Sequence, residues 1–231
     1  MDIDARRTRL IAWLEVIKDD VQDLMLDHHV FWEVQAILKA NPKVTKASGL
    51  FIQWMASSFV QSAAVGVRRH AKGGDDSVSL KRFLDEVRQY PELISRQFYL
   101  AFFADSPEWL TESSGHGHFD SLAGSGGAFI RTSVVAQQLA ELNTAVSAIE
   151  HYVDRRVAHY DQRGLAKPVP TFMDLEGALK SLEELVIFYW TLLKGASMVG
   201  LTPAIQYHWH DVFEFAWVDQ SKPGPDEATG A

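Results

Sequence analysis

The chain has 231 residues, 47% hydrophobic and 23% charged, a length and composition typical of one good-sized globular domain or at most two small ones. It contains no cysteine, which excludes disulfides, thiolate metal sites and cysteine nucleophiles. A net charge of −8 argues against a protein that binds nucleic acid over its whole surface, so any RNA contact must be local.

Neither a secretion signal nor a membrane span is expected. The start, Met1–Arg7, is charged, and no short apolar stretch with a small-residue cleavage site follows it. The stretches 50–67 and 182–205 resemble spans, but polar side chains such as Gln53 and Glu183 interrupt them, and buried core helices explain both better. These observations predict a cytoplasmic protein with no membrane partner.

The hydropathy pattern predicts an all-α helical bundle. Apolar residues recur three and four positions apart almost throughout, and no run alternates as a strand would. A first stripe runs from Leu10 to Leu24, and a second short helix ends at Asn41–Pro42. A long helix then spans about residues 45–71 and stops at Gly73–Gly74.

Two helix starts and one long loop are predicted in the middle of the chain. Ser79 can cap a helix over residues 80–90, and Pro91 can open another that ends near Phe103. Residues 104–127 break the periodicity and are rich in Gly and Ser. This composition predicts a long loop, either a mobile insert or a functional lid.

The strongest periodicity, from Val135 to Tyr160, predicts one long helix. Its packing partner is expected to be the helix that enters at Thr171–Asp174, two residues that resemble a cap pair. The aromatic segment 207–217 is expected to dock on this bundle. The chain is therefore predicted to form a single domain over residues 1–220, followed by a disordered tail over residues 221–231.

The run Tyr152–Asp161 contains the most specific candidate chemistry. Arg155 and Arg156 each lie within one helical turn of His159, because residues three and four apart on a helix are neighbours. An arginine stabilises phosphate charge and a histidine transfers protons near neutral pH, and cleavage of an RNA phosphodiester needs both. The alternative is an ordinary solvent-exposed helix face.

This group is expected on a surface that its own bundle does not use. At about 100° per residue, Arg155 projects nearly opposite the apolar stripe, with Tyr152 and His159 beside it. An exposed aromatic side chain favours an interface with a second subunit or a ligand, and simple solvent exposure is the alternative.

A second cationic group, Arg68-Arg69-His70, ends the helix predicted over residues 45–71. The helix dipole alone favours cations at this end. Arg69, however, falls on the packed side, where a charge needs a partner such as Asp154 or Asp161. The sequence leaves two roles for this group: ion pairing within the fold, or contact with a phosphate.

Metal binding is not predicted, and we expect no cofactor. The histidine pairs His28–His29, His116–His118 and His208–His210 are one or two residues apart, so their side chains point in different directions on a helix. No Glu-x-x-His motif is present.

The run Tyr152–Asp161 resembles the Arg…Ala-His-x-Asp signature of HEPN proteins, and the wider chain is similar to the AbiU-like branch of that family, named after abortive phage infection. Segments 67–84, 171–175 and 207–217 resemble the same branch in order and spacing. The resemblance extends over most of residues 1–217.

The resemblance implies a HEPN bundle that forms a homodimer with adjoining Arg/His faces and, in active relatives, a metal-independent RNase used in phage-defence or toxin–antitoxin systems. It favours Arg155, Arg156 and His159 as catalytic residues. The candidates for contact with an RNA substrate are Arg68, Arg69, Tyr152, Tyr160 and Asp161.

Three functions stay open after this comparison. The first is a metal-independent endoribonuclease with an antitoxin or a nucleotidyltransferase as partner. The second is a catalytically inactive HEPN dimer that acts as an interaction or RNA-binding protein. The third is a metal-dependent enzyme built on a helical bundle.

Overall fold

The computed structural model describes residues 2–47, 49–74, 76–157, 169–215 and 217. In this part of the chain the fold is all-α and contains no β-strand, which confirms the predicted fold class. The helices are α1 (Ile3–Ala40), α2 (Pro42–Ala47), α3 (Gly49–Ala71), α4 (Leu80–Gln89), α5 (Arg96–Leu100), α6 (Glu108–Leu110), α7 (Gly117–Ala123), α8 (Thr132–Tyr152) and α9 (Phe172–Lys194).

Four long helices form the core of the bundle. Helix α1 contacts α3 and α9, helix α8 contacts the same two helices, and α4 covers another side of α8. The apolar stripes predicted on α1, α8 and α9 supply buried side chains such as Leu14, Val146 and Leu182, while α3 and α4 contribute Val67 and Phe83. The expected packing of α8 on α9 is therefore confirmed.

Both predicted helix caps are present. The Ser79 side chain accepts a hydrogen bond from the backbone N–H of Arg82 at 3.2 Å. At the start of α9, Thr171 and Asp174 form a reciprocal capping box, in which each side chain accepts from the other residue's backbone N–H. These short polar patterns mark the helix starts without help from the rest of the fold.

The first helices are divided differently from the prediction. The stripes that suggested two helices before Asn41 belong to the single helix α1, because residues 25–30 contain no glycine or proline that would break it. The helix predicted over residues 45–71 corresponds to α2 and α3, since α2 already begins at Pro42.

The segment 104–127, expected to be a long Gly/Ser-rich loop, is helical over much of its length. A π-helical segment, Thr111–His116, joins α6 to α7. Its Gly115 is buried, and an added Cβ would lie 2.9 Å from Leu100 Cδ2, so this glycine permits close packing. The true turn follows α7, where Gly124 and Gly126 have φ values of 85° and 68°.

Among the described helices, α3 is the one that is long and apolar enough to cross a membrane by length and composition. Core helices of globular proteins pass the same test. Only 28% of its apolar window is buried in the bundle, so the expectation of a fully buried core helix holds for part of its surface. By contrast, α9 contributes nine buried residues to the core, as expected.

The aromatic segment 207–217 is mostly exposed. Phe213 stacks on Trp217, whose indole N–H donates to the Val212 carbonyl at 2.7 Å. Between the described residues of this segment and α1, His210 Nε2 lies 3.6 Å from a carboxylate oxygen of Glu33. The segment thus packs largely on itself, and the predicted tail 221–231 lies outside the described residues.

Candidate functional site

The cationic end of α3 meets a π-helical turn, Val153–Val157, that directly continues α8. A π-helix closes its hydrogen bonds between residues i and i+5, so each turn holds more residues than an α-helical turn. The directions calculated at 100° per residue therefore no longer apply beyond Tyr152. Arg155 is half-buried in this turn, and Val157, the last described residue of the predicted stripe, is partly buried against the core.

Most of the predicted catalytic group lies beyond this turn. His159, Tyr160 and Asp161 are outside the described residues, as is the side chain of Arg156. Arg155 is the catalytic candidate whose side chain the structure describes. The geometry of the site is consequently defined by what surrounds Arg155.

Asp154, the neighbour of Arg155 in the chain, joins Arg68 of α3 and Lys72, the residue after α3, to the π-helical turn. Arg68 Nε donates to Asp154 Oδ1, and Lys72 Nζ donates to Oδ2 at 2.7 Å. Lys72 also lies 3.7 Å from a carboxylate oxygen of Glu150. Partial burial alone would raise the pKa of Asp154, but the hydrogen bonds and charges of Lys72 and Arg68 outweigh it and hold that pKa below its usual value.

Arg69 and His70 face α1 instead of α8. Both contact Asp20: Arg69 pairs with Oδ1, and His70 Nε2 lies 2.8 Å from Oδ2. The expected partner of Arg69 is thus replaced by Asp20, because Arg69 lies about 100° around the helix from Arg68. The hydrogen bond from His70 is the main cause that lowers the pKa of Asp20, against the opposing effect of burial.

His70 is a poor alternative to His159 as a proton-transfer group. Only 2% of its side chain is exposed, and Asp20 holds its Nε2. Its Nδ1 is buried without a hydrogen-bond partner among the described residues. A substrate at the surface cannot reach this ring, so His70 contributes to the packing of α3 on α1.

Tyr152 lies in a different place from the one expected. Instead of standing on an unused face, it is half-buried and packs against the core, where it lines a small cavity with Ile149, Phe172 and Leu175. The reason is that α8 lies between α3 and α9, which together cover more of its circumference than the apolar stripe indicated.

The three histidine pairs do not converge. His28 accepts from Trp32 Nε1 at 3.0 Å on α1, and His118 Nδ1 lies 2.8 Å from the Tyr99 hydroxyl. Burial lowers the pKa of His118, which keeps its ring neutral near neutral pH. Within the described ranges, no three or more His, Asp or Glu side chains gather in a way that could hold a metal ion.

The arrangement presents two partly exposed cations to solvent at one edge of the bundle. Arg68 and Lys72 keep 30% and 43% of their side chains exposed, and ion pairs of such exposed groups are weak enough to exchange for a phosphate oxygen. Lys72 was not among the predicted residues, although it lies four residues after Arg68, directly beyond the end of α3. Nothing in the sequence near Arg69 and His70 indicated Asp20 as their partner.

Comparison with known proteins adds one match. A family model of the HEPN type, described as AbiU2, matches residues 9–215. The matched region includes α3, the π-helical turn and the run through Asp161. No curated protein and no solved structure matches the chain.

Proposed function

The chain belongs to the AbiU2 family of HEPN proteins, and we propose that it acts in abortive-infection defence as a metal-independent endoribonuclease. The observation that supports this proposal best is the position of the π-helical turn. The turn lies against the cationic end of α3 and contains Arg155 and Arg156, and His159 follows it in the sequence.

The proposed reaction uses the 2′-hydroxyl of RNA as the nucleophile. One basic group removes the 2′-hydroxyl proton, the oxygen attacks the adjacent phosphorus, and the 5′-oxygen leaves after it takes up a proton. His159 is proposed to transfer one of these protons, while Arg155 and Arg156 stabilise the added negative charge on the phosphoryl oxygens. Arg68 and Lys72 are proposed to hold a neighbouring phosphate, and Arg69, on the side of α3 that faces α1, is proposed to meet a phosphate farther along the strand. Tyr160 and Asp161 are proposed to shape the substrate contact, while Tyr152 packs against the core and supports the end of α8.

A homodimer is part of the proposal. In a dimer with adjoining Arg/His faces, each copy of the run from Arg155 to His159 would face its equivalent, and one RNA strand would meet both groups. A two-fold axis makes such an interface self-complementary. The proposed system also includes a control partner, an antitoxin or a nucleotidyltransferase.

The second candidate is a catalytically inactive HEPN dimer that acts as an interaction or RNA-binding protein. The ion pairs favour it, since Arg68 and Arg69 each contact a carboxylate and Lys72 contacts two. Cations that are already paired serve the packing of α3 and need not contact a substrate.

Cleavage of a set of labelled single-stranded RNAs, with and without a chelator, separates these functions. Chelator-resistant cleavage supports the proposed ribonuclease, and binding without cleavage supports the inactive dimer. Turnover that the chelator abolishes would indicate a metal-dependent enzyme and would overturn both.

A further inference from the structure

The first half of α3 exposes large apolar side chains on one side. Leu50 is 82% exposed, Trp54 is 62% exposed, and Phe51 is 44% exposed. At about 100° per residue, Leu50 and Phe51 lie within some 60° of Trp54, so the three form one surface, here called the α3 apolar face. Adjacent exposed side chains of this size indicate a binding surface.

The chain segment that contains the α3 apolar face carries a net positive charge. The sequence contains no Asp or Glu from Val34 to Gly74, although the whole chain has a net charge of −8. Lys39, at the end of α1, and Lys43 and Lys46, on α2, precede the face in the chain, and all three are exposed. An acid-free segment of this length, within an acidic protein, indicates an anionic partner.

The same charges disfavour a second copy of this chain as the occupant. A symmetric contact between two α3 apolar faces would bring the Lys39, Lys43 and Lys46 groups of both copies together without a carboxylate from residues 34–74 to neutralise them. RNA matches the face less well than a lipid surface does, because bases would stack on Phe51 and Trp54 but leave Leu50, the most exposed of the three, in water.

We propose that the α3 apolar face and the lysines Lys39, Lys43 and Lys46 dock this protein onto an anionic lipid surface. Leu, Phe and Trp enter the boundary between headgroups and acyl chains, and the lysines contact anionic headgroups, as in other amphipathic helices that lie on membranes. This inference goes beyond the proposed RNA chemistry and does not depend on it. It also replaces the expectation that no membrane takes part.

Docking leaves α3 in the bundle. The opposite side of the helix is buried through Ala63, Ala64 and Val67, and the contact of His70 with Asp20 fixes its last turn to α1. Insertion across a bilayer would expose this packed side and break that contact. The structure therefore favours a helix that lies on the surface over one that spans it.

Sedimentation of the purified full chain with vesicles tests the proposal. We expect binding to phosphatidylcholine vesicles that contain phosphatidylglycerol, weaker binding to vesicles of phosphatidylcholine alone, and loss of binding at high salt. Lys43→Gln with Lys46→Gln should weaken binding by roughly fivefold for each lysine. Leu50→Ser with Trp54→Ser should abolish it.

Two controls match these variants. Trp109→Ser removes an equally exposed tryptophan elsewhere, and Lys180→Gln removes an exposed lysine of α9; both should leave vesicle binding unchanged. Because the substituted side chains are exposed, circular dichroism should show the same helicity in all variants. In addition, vesicles with brominated lipids should quench the tryptophan fluorescence of the wild type more strongly than that of the Trp54→Phe variant.

Three results would overturn the proposal. The first is failure of the wild type to bind anionic vesicles, and the second is binding that neither α3 variant changes. The third is that Leu50→Ser with Trp54→Ser converts a dimer to a monomer, or weakens binding to single-stranded RNA, with vesicle binding intact. The face would then belong to a subunit or RNA interface.

Discussion

Arg68, on the last turn of α3, donates a hydrogen bond to Asp154, the second residue of the π-helical turn. This contact fixes the end of a core helix to the turn that leads into the candidate catalytic run. Lys72 strengthens the connection through the second oxygen of the same carboxylate, at 2.7 Å. The position of Arg155 therefore depends on α3 as well as on α8.

Replacement of Asp154 by Asn is expected to strengthen RNA binding. The carboxylate competes with phosphate for Arg68 and Lys72, and its loss should raise affinity by about two- to fivefold, the range typical of an exposed ion pair. Fluorescence anisotropy with a 2′-O-methyl RNA, which cannot be cleaved through its 2′ oxygen, measures the effect. Glu184→Gln, which removes an exposed partner of Lys180, is the control. Unchanged or reduced affinity would argue that these cations do not contact phosphate.

The contact of Asp20 with His70 should make stability depend on acid pH. The pKa of Asp20 is lower in the folded chain than its ordinary value of 3.8, so the folded state binds fewer protons there. The stabilisation is present above that ordinary value and is lost as pH falls through the lowered pKa. Asp20→Asn should reduce the free energy of unfolding at neutral pH by about 1 to 3 kcal/mol.

Urea unfolding of wild type and Asp20→Asn, at neutral pH and at about pH 3, measures this difference. Other lowered carboxyl pKa values, such as that of Asp120, affect both proteins equally and cancel in the comparison. The difference between their free energies of unfolding should be smaller at the lower pH. A difference that stays constant would show that the Asp20 charge does not stabilise the fold.

Local sequence signals predicted some parts of this fold and not others. Ser79 and the Thr171–Asp174 pair identify helix starts because a cap depends on a few adjacent residues. The helical segment within 104–127 was missed because its glycine content suggested a loop. Gly115 in fact sits where a side chain would collide with Leu100, a contact that only the tertiary structure reveals.

In the candidate site too, local sequence spacing predicted some features and missed those that depend on the tertiary structure. The grouping of Arg155 with His159 stays a prediction from sequence spacing, since His159 lies outside the described residues. The π-helical turn, by contrast, leaves no periodic signal, and it changed the directions assigned after Tyr152. Asp20 is distant in sequence from Arg69 and His70, so its role depended on how α1 packs on α3.

Loss of the α9 cap should cost a measurable part of the stability. Thr171→Ala removes the acceptor for the Asp174 backbone N–H, held at 3.2 Å, and should lower the free energy of unfolding by about 1 kcal/mol. Thr144→Ala, at an exposed position of α8 where the hydroxyl only bonds back to Ala140, should have little effect. Equal losses of unfolding free energy in the two variants would show that the capping box stabilises the fold no more than an ordinary surface hydroxyl does.

The proposed dimer should be visible by light scattering at micromolar concentration. Arg155→Glu places a negative charge on each of the two adjoining faces and should shift the protein towards monomer. Arg88→Glu, at an exposed site on α4, is the matched control and should leave the mass unchanged. A wild type that is monomeric under these conditions, or a dimer that Arg155→Glu does not affect, would contradict a dimer interface that includes Arg155.

The most direct test of the central claim is RNA cleavage by His159→Ala in the presence of a chelator. If His159 transfers a proton, its loss should reduce the cleavage rate on the order of 100-fold or more. His208→Ala, which removes an exposed histidine far along the chain, should cleave at the wild-type rate. The account predicts chelator-resistant cleavage by wild type and His208→Ala and none by His159→Ala. Equal cleavage by all three proteins, or by none of them, would contradict it.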